Sequence, residues 1–180
     1  MTAATAPRPR ALVAYYSRSG NTRRVAETIA AELGADLEPI TDLTGRRGFW
    51  GYLRAGRDAM RGRGTTIGAP VHDPAAYDLV VVGTPVWASS MTPAVRTWLG
   101  RVAGRLPEAA LFLTHGGTGR ERVFSQLTAL CGRFPLGALA LREQELKAGN
   151  WEPRARAFAR EILTLAEHHR AAGAEAHAHP

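Results

Sequence analysis

An uninterrupted apolar run near the middle of the chain sets the class of fold. Residues 78–84 read DLVVVGT, which is typical of a parallel strand that is covered on both faces. Such a strand needs parallel neighbours, and each of them is reached by a crossover that usually contains a helix. The rest of the chain is therefore expected to alternate strands with helices.

The flanking segments show this alternation. The first predicted helix carries Val25, Ile29 and Leu33 on one face, and Thr92 with Pro93 marks the start of another as N-cap and first-turn proline. Strands are predicted at residues 11–16, 36–40, 78–84, 109–114 and 136–141, and helices at residues 21–33, 93–102, 121–130 and 153–169. The pattern predicts a doubly wound α/β sandwich of three layers, with a five-stranded parallel sheet, in a single domain over residues 1–170.

Two segments depart from the alternation. Residues 44–74 are long for a connection, and Phe49, Leu53 and Met60 predict an irregular helix within them. Residues 171–180 are rich in Ala, Gly and His without periodicity, which predicts a disordered tail. Four histidines lie in or just before this tail, namely His168, His169, His177 and His179. They are better explained as solvated side chains than as metal ligands, so no metal site is predicted.

Charge restricts the function only weakly. The net charge is +7, yet Lys147 is the only lysine among 23 basic residues, so the arginine excess is also consistent with a GC-rich coding bias. The most cationic stretch contains Arg46, Arg47, Arg54, Arg57, Arg61 and Arg63. It fits a solvated helix, a dimer contact or a partner-docking face equally well, and no aromatic RNA-binding motif accompanies it. Nucleic acid is therefore not the favoured partner, and a homodimer is one open interpretation.

Targeting signals and cysteine content are the two sequence features that bear on the compartment. We recognise no signal peptide and no apolar run long enough to cross a bilayer. Cys131 is the only cysteine, so no intramolecular disulfide can form, and nothing near it in sequence suggests an activated thiolate. We expect a cytoplasmic protein in which Cys131 serves packing.

The loop after the first strand, SRSGNT at residues 17–22, is suited to an anion. Hydroxyl and amide side chains surround Gly20, and the backbone N–H groups at the start of the next helix can hold a phosphate without a lysine. The loop lacks both GxxxxGK[ST] and GxGxxG, which favours a monophosphate over a triphosphate or pyrophosphate. An ordinary N-capping turn is the alternative.

Two later loops are expected at the same edge, because ligands of open α/β sheets bind beyond the carboxyl ends of the strands. In PVWASSM, residues 85–91, Trp87 is placed to stack on a planar ring, with a core or interface tryptophan as the alternative. In HGGTG, residues 115–119, the glycines let the backbone approach a flat ligand. His115 is a candidate proton donor or anion partner, and a structural role is equally open.

Together these loops resemble the flavodoxin family, over nearly the whole chain. SRSGNT is similar to the family's FMN phosphate loop, TPVWASSM to its ring-stacking loop and THGGTG, less distinctively, to its third flavin loop. The resemblance implies the short-chain flavodoxin-like fold, with strand order 2-1-3-4-5 and one FMN. The cofactor-binding residues that it implies are Ser17, Arg18, Ser19, Gly20, Asn21, Thr22, Thr84, Pro85, Val86, Trp87, Ala88, Ser89, Ser90, Thr114, His115, Gly116, Gly117 and Gly119.

The chain departs from the family in two respects that shape the expected function. Flavodoxin carriers are acidic, whereas this chain is basic, and the third loop lacks the tyrosine that often covers the second flavin face. An open face would admit a substrate. The resemblance then implies an FMN-dependent oxidoreductase that reduces a quinone or similar acceptor with electrons from NAD(P)H or a reductase. A one-electron transfer protein with a redox partner, and a flavin-free interaction module, are the alternatives.

Overall fold

The computed structural model describes residues 8–44 and 64–178, with the side chains of residues 175–178 left aside. The predicted irregular helix around Phe49 and the cationic stretch lie outside the described residues. The strands are β1 Ala11–Tyr15, β2 Asp36–Pro39, β3 Leu79–Trp87, β4 Ser90–Met91, β5 Glu108–His115 and β6 Ala138–Arg142. The helices are α1 Asn21–Leu33, α2 Pro93–Val102, α3 Arg120–Cys131, α4 Glu143–Ala148 and α5 Glu152–Ala178, with short 3-10 turns at Pro74–Ala76 and Ala103–Arg105.

Five of these strands form a parallel sheet in the order β2-β1-β3-β5-β6. The sixth, β4, is two residues long and pairs antiparallel with the end of β3. With β4 set aside, the predicted order 2-1-3-4-5 is confirmed. The apolar run that predicted the fold is central, since Val81 lies between Val13 of β1 and Ala110 of β5.

Helices cover both faces of the sheet. Because side chains alternate along a strand, Val13 of β1 packs toward α1 and α5, and its neighbour Leu12 packs toward α2 and α3. The first face is closed by Val25, Ile29, Leu33, Phe158 and Ile162, and the second by Val95, Trp98, Leu99, Val123 and Leu127, all buried. The predicted three-layer sandwich is confirmed.

The structure corrects the sequence prediction after the last strand. The segment between the predicted last strand and last helix, residues 142–152, was not predicted to contain an element, but it contains α4, a helix of six residues. The final helix runs through Ala178, so residues 171–178 continue it rather than forming the predicted disordered tail. The physical reason is that Ala and Glu favour helix, and elongation of a helix already anchored by Phe158 and Ile162 costs little.

No helix in the described ranges is both long enough and apolar enough to cross a bilayer. The described helices instead pair one buried stripe with a solvated face, as α1 does through Val25, Ile29 and Leu33.

Candidate cofactor site

Two of the predicted loops, together with Thr114 near the end of β5 and just before the third loop, line one cavity of about 350 Å³ at the carboxyl ends of β1, β3 and β5. We call it the loop cavity. Its lining residues are Arg18, Ser19, Asn21, Thr22, Pro85, Val86, Trp87, Thr114 and Glu143. The cavity lies at the edge of the sheet where the sequence predicts a ligand, and the binding of a cofactor by these residues stays a prediction.

The first loop brings an unpaired hydroxyl to the start of α1. Gly20 is the N-cap residue at φ 91°, a conformation that side-chain-bearing residues rarely adopt, and its carbonyl accepts the first helical hydrogen bond from the Arg24 N–H at 3.0 Å. No acidic residue lies in the first turn of α1. The Ser17 Oγ atom is buried and has no hydrogen-bond partner in the described part of the chain. The Ser17 hydroxyl and the backbone N–H groups at the start of α1 can therefore donate to an anion.

The second predicted loop contains a hairpin, which the sequence did not predict. Val86 pairs with Met91 and Trp87 with Ser90, which leaves Ala88 and Ser89 as a two-residue turn. Both turn residues have positive φ, 47° and 55°, as a type I′ turn requires. Non-glycine residues in this region are strained, and such strain is typical of functional sites.

Side-chain hydrogen bonds hold the hairpin in place. Ser90 Oγ and the Met91 N–H both donate to Gln126 Oε1 on α3, at 3.0 and 3.1 Å. Thr84 is fully buried and its hydroxyl lies 3.2 Å from that of Thr92. Thr92 is the predicted N-cap residue of α2, but its side chain makes this contact instead of a capping bond. Thr84 and Ser90 therefore support the loop cavity from behind and do not line it.

Trp87 lies at the mouth of the loop cavity, against Tyr16. The two ring centroids are 5.4 Å apart and the planes are almost perpendicular, at 89°. Edge-to-face contact is a favoured aromatic geometry, so Tyr16 fixes the orientation of the indole ring. The sequence analysis missed Tyr16, although its position at the end of the first strand was a usable signal. Stacking of Trp87 on a ligand ring stays a prediction.

A buried pair of hydroxyls joins the first loop to the third. Thr22 Oγ1 and Thr114 Oγ1 are 2.9 Å apart. The two residues come from α1 and β5, and both line the loop cavity. A single hydrogen bond therefore ties two walls of the cavity together, which limits how far either can move.

The other residues of the third loop do not line the loop cavity. His115 is buried, and its Nδ1 atom lies 2.6 Å from the Gly117 carbonyl oxygen, on the side of β5 away from Thr114. Gly119 has φ 97°, and a Cβ atom there would lie 2.6 Å from Ser89 Cα, so it packs against the turn of the second loop. Gly116 and Gly117 are exposed. His115 and these glycines are not among the lining residues of the loop cavity, and their contact with a cofactor stays a prediction.

Glu143 is a lining residue that the sequence analysis missed. It is the first residue of α4, directly after β6, and its carboxylate lies beside Gly116 of the third loop. The helix that carries it was not predicted, so the residue was assigned to a link. An acidic residue at the carboxyl end of the last strand was the signal, because that edge is where ligands bind.

Cys131 is excluded as a nucleophile. Burial raises the pKa of its thiol to about 11, so the thiolate is scarce at neutral pH. The side chain packs in the core face formed with α2 and α3, which confirms the packing role that the sequence predicted.

The fold and the loop cavity together define a flavodoxin-like α/β protein. The sequence model of the family described as Flavodoxin matches residues 10–138, and the chain belongs to this family. A flavoprotein from Lactobacillus acidophilus NCFM, solved in complex with FMN, is 25% identical with a TM-score of 0.66, over 78% of this chain and 97% of that chain.

Two further structures share the fold at lower identity. A flavodoxin, WrbA-like protein from Agrobacterium tumefaciens is 16% identical with a TM-score of 0.56, over 89% of this chain and 99% of that chain. Oxidised Flavodoxin 1 from Bacillus cereus is 14% identical with a TM-score of 0.52, over 86% of this chain and 97% of that chain. At these identities the likeness shows the architecture alone.

Proposed function

We propose that this protein binds one FMN in the loop cavity and acts as an oxidoreductase that reduces a quinone or similar acceptor with electrons from NAD(P)H or a reductase. The observation that carries the proposal is the buried, unpartnered Ser17 hydroxyl beside the acid-free start of α1. Family membership and the FMN complex of the Lactobacillus flavoprotein support the choice of cofactor. A cytoplasmic location is part of the same proposal.

The first loop fits the phosphate of FMN. A buried hydroxyl without a partner costs roughly 1–3 kcal/mol, and a phosphate oxygen accepting from Ser17 would recover that cost. Ser19, Asn21 and Thr22, from the same loop and helix start, line the cavity. The positive end of the α1 dipole adds attraction for an anion, and no carboxylate in that turn opposes it.

The other walls fit the isoalloxazine ring. Pro85, Val86 and Trp87 offer an apolar surface, and the edge contact with Tyr16 holds the indole in place. Thr114 and Glu143 offer polar atoms on the remaining side of the cavity. When bound, FMN supplies the hydride or electron transfer. The chain binds and orients the cofactor, and the apolar wall of Pro85, Val86 and Trp87 excludes water from one side of it.

The cofactor proposal is tested by titrating FMN into the purified protein and following the quenching of flavin fluorescence. We expect saturation at one FMN per chain, and weaker binding by about tenfold in Ser17→Ala, because one hydrogen bond to a charged phosphate is lost. Ser125→Ala, an exposed serine on α3, is the matched control and should bind as the wild type does. A wild-type protein that quenches no flavin fluorescence would disprove the proposal and favour a flavin-free interaction module.

A one-electron transfer protein is the second candidate, and the position of His115 favours it. His115, the candidate proton donor, lines the arginine-rich side of β5 and not the loop cavity. Among the described lining residues of the loop cavity, Glu143 is the one carboxyl or imidazole group. A one-electron carrier needs no proton donor beside the flavin. Stopped-flow mixing of FMN-loaded protein with NADH or NADPH separates the two candidates. Rapid bleaching by the dinucleotide alone supports the oxidoreductase, whereas bleaching that needs an added reductase supports the electron carrier.

A further inference from the structure

A second cavity opens at the same edge of the sheet, on the far side of the third loop. It has a volume of about 320 Å³, and we call it the arginine cavity. The residues that matter here are His115, Arg120, Arg142, Gln144, Glu145 and Arg154. They come from five different elements, β5, α3, β6, α4 and α5, so no single stretch of sequence predicts the cavity.

The arginine cavity shares a wall with the loop cavity. On β5, Thr114 lines the loop cavity and the next residue, His115, lines the arginine cavity. After β6 the same division recurs, because Arg142 lines the arginine cavity and Glu143 lines the loop cavity. A ligand held in one cavity is therefore a neighbour of a ligand held in the other.

Positive charge exceeds negative charge in the arginine cavity. Arg154 forms an ion pair with Glu145, and Arg120 Nε lies 2.5 Å from Glu121 Oε1. The charge of Arg142, after that of Arg154, also acts on Glu145 and helps to lower the pKa of that carboxyl. Three guanidinium groups thus share the carboxylates of Glu121 and Glu145, which leaves an excess of one positive charge among these groups.

His115 makes this cavity a built site rather than a patch of surface charge. The ring is only 3% exposed, and its Nδ1 atom contacts the Gly117 carbonyl oxygen at 2.6 Å. A carbonyl oxygen only accepts, so Nδ1 carries the proton and donates it there. In this tautomer Nε2 is a hydrogen-bond acceptor, so it can meet a P–OH group of a ligand but not a bare phosphate oxygen.

We propose that the arginine cavity binds the phosphate group of a small molecule. Guanidinium groups match phosphate oxygens with paired N–H donors, and the excess of one positive charge favours an anion. Inorganic phosphate or a phosphorylated metabolite is one source of such a group, and a nicotinamide dinucleotide that carries an additional phosphate is another. The proposal goes beyond FMN binding, which concerns the loop cavity.

Calorimetric titration with inorganic phosphate tests the site directly. Saturating FMN is added first, because the first loop would otherwise take phosphate as well. We expect one bound phosphate per chain, and a dissociation constant that is at least about tenfold larger in Arg142→Gln. Arg122→Gln removes the same charge from an exposed position on α3 that does not line the cavity, and it should bind phosphate as the wild type does. Equal weakening in both variants, or no saturable binding in the wild type, would overturn the proposal.

Titrations with NADPH and NADH then identify the source of the phosphate. Selective weakening of NADPH binding in Arg142→Gln identifies the dinucleotide, whereas an effect confined to inorganic phosphate identifies free phosphate or a phosphorylated metabolite. Fluorescence quenching by the same samples reports FMN binding separately, and it should be unchanged in Arg142→Gln. The two proposals can fail separately. If the wild type binds no FMN, and Arg142→Gln still weakens phosphate binding, the proposed cofactor is disproved and the arginine cavity stays supported.

Discussion

The loop cavity and the arginine cavity lie on either side of the same strand end, yet they offer an anion different chemistry. The loop cavity offers the hydroxyls of Ser19, Thr22 and Thr114 and the backbone N–H groups at the start of α1, and the buried Ser17 Oγ lies in the same loop. The arginine cavity offers the long side chains of Arg120, Arg142 and Arg154. One site is built largely on backbone groups and short side chains, and the other on long side chains, of which Arg120 and Arg154 are already held in ion pairs.

This difference has consequences for affinity and salt dependence. Ordering a long side chain costs up to about 2 kcal/mol, while the loop cavity has already fixed its groups, for example through the pair Thr22 and Thr114. Exposed guanidinium groups are also screened by salt, whereas buried donors are screened less. The loop cavity therefore suits a resident cofactor, and the arginine cavity suits a ligand that binds and leaves.

A carboxylate in the first loop should give the largest effect. Ser19→Asp places a negative charge beside the start of α1, where the FMN phosphate is proposed to bind, and we expect FMN affinity to fall by roughly a hundredfold or more. The same charge is favourable for the helix dipole, so thermal stability should be kept or slightly raised. Fluorescence quenching and thermal unfolding measure the two effects.

Ser125→Asp is the control for this substitution, since Ser125 is exposed on α3 and lines neither cavity. It should leave FMN binding unchanged. Phosphate binding in the arginine cavity should also survive in Ser19→Asp. Loss of phosphate binding there would show that the two cavities are one site.

The next largest effect is expected on the free energy of unfolding, when a methyl group is added at Gly119. Its Cβ atom would lie 2.6 Å from Ser89 Cα, and φ 97° is unfavourable for alanine, so Gly119→Ala is expected to lower the free energy of unfolding by about 2 kcal/mol. In Gly117→Ala, the new Cβ has no heavy atom within 4 Å, and the change should stay within about 0.5 kcal/mol. Urea unfolding compares the two, and equal losses would contradict the close contact between the loops.

Breaking the hydroxyl pair should cost somewhat less. Thr22→Val leaves the Thr114 hydroxyl buried without its partner, which we expect to lower the free energy of unfolding by about 1–1.5 kcal/mol. The double variant Thr22→Val with Thr114→Val should recover part of this, with a coupling energy of about 0.5 kcal/mol or more. Thr28→Val, on the same helix and outside the pair, is the control. Strict additivity of the two single changes would show that the bond contributes nothing.

How much of the molecule the sequence predicted depends on how far apart the participating residues lie. The apolar run at residues 78–84 predicted the central strand, and the spacing of Val25, Ile29 and Leu33 predicted α1, because both signals are local. The first loop was found for the same reason, since its hydroxyls and the helix start are consecutive.

The arginine cavity and the supports of the loop cavity escaped prediction because they are built from distant residues. Gln126 holds the hairpin from 35 positions away, and Arg142 meets His115 only through the register of β6 on β5. The type I′ turn was missed because Ala88 and Ser89 lack the Asn-Gly signature, so strand pairing imposes positive φ against local preference. Local patterns give elements, but side-chain constellations need the register between them.

Acid titration of Glu145 gives the smallest expected effect and separates the cavities by pH. The hydrogen bond from the Arg142 backbone N–H, at 2.7 Å, and then the charge of Arg154 hold the pKa of this carboxyl below its ordinary value. A lowered folded-state pKa means that the carboxylate stabilises the fold above its unfolded pKa, and that this contribution is lost as the pH falls through the folded value.

Glu145→Gln should therefore lower the free energy of unfolding at pH 7 by less than about 1 kcal/mol, because the ion pair is partly exposed, and this difference should shrink toward acid pH. Urea unfolding at several pH values measures it, with the exposed carboxylate Glu161→Gln as control. The same change releases Arg154 from its ion pair, so phosphate should bind more tightly while FMN binding stays constant. A variant that tightened FMN instead would place the anion site in the loop cavity and remove the distinction between the two.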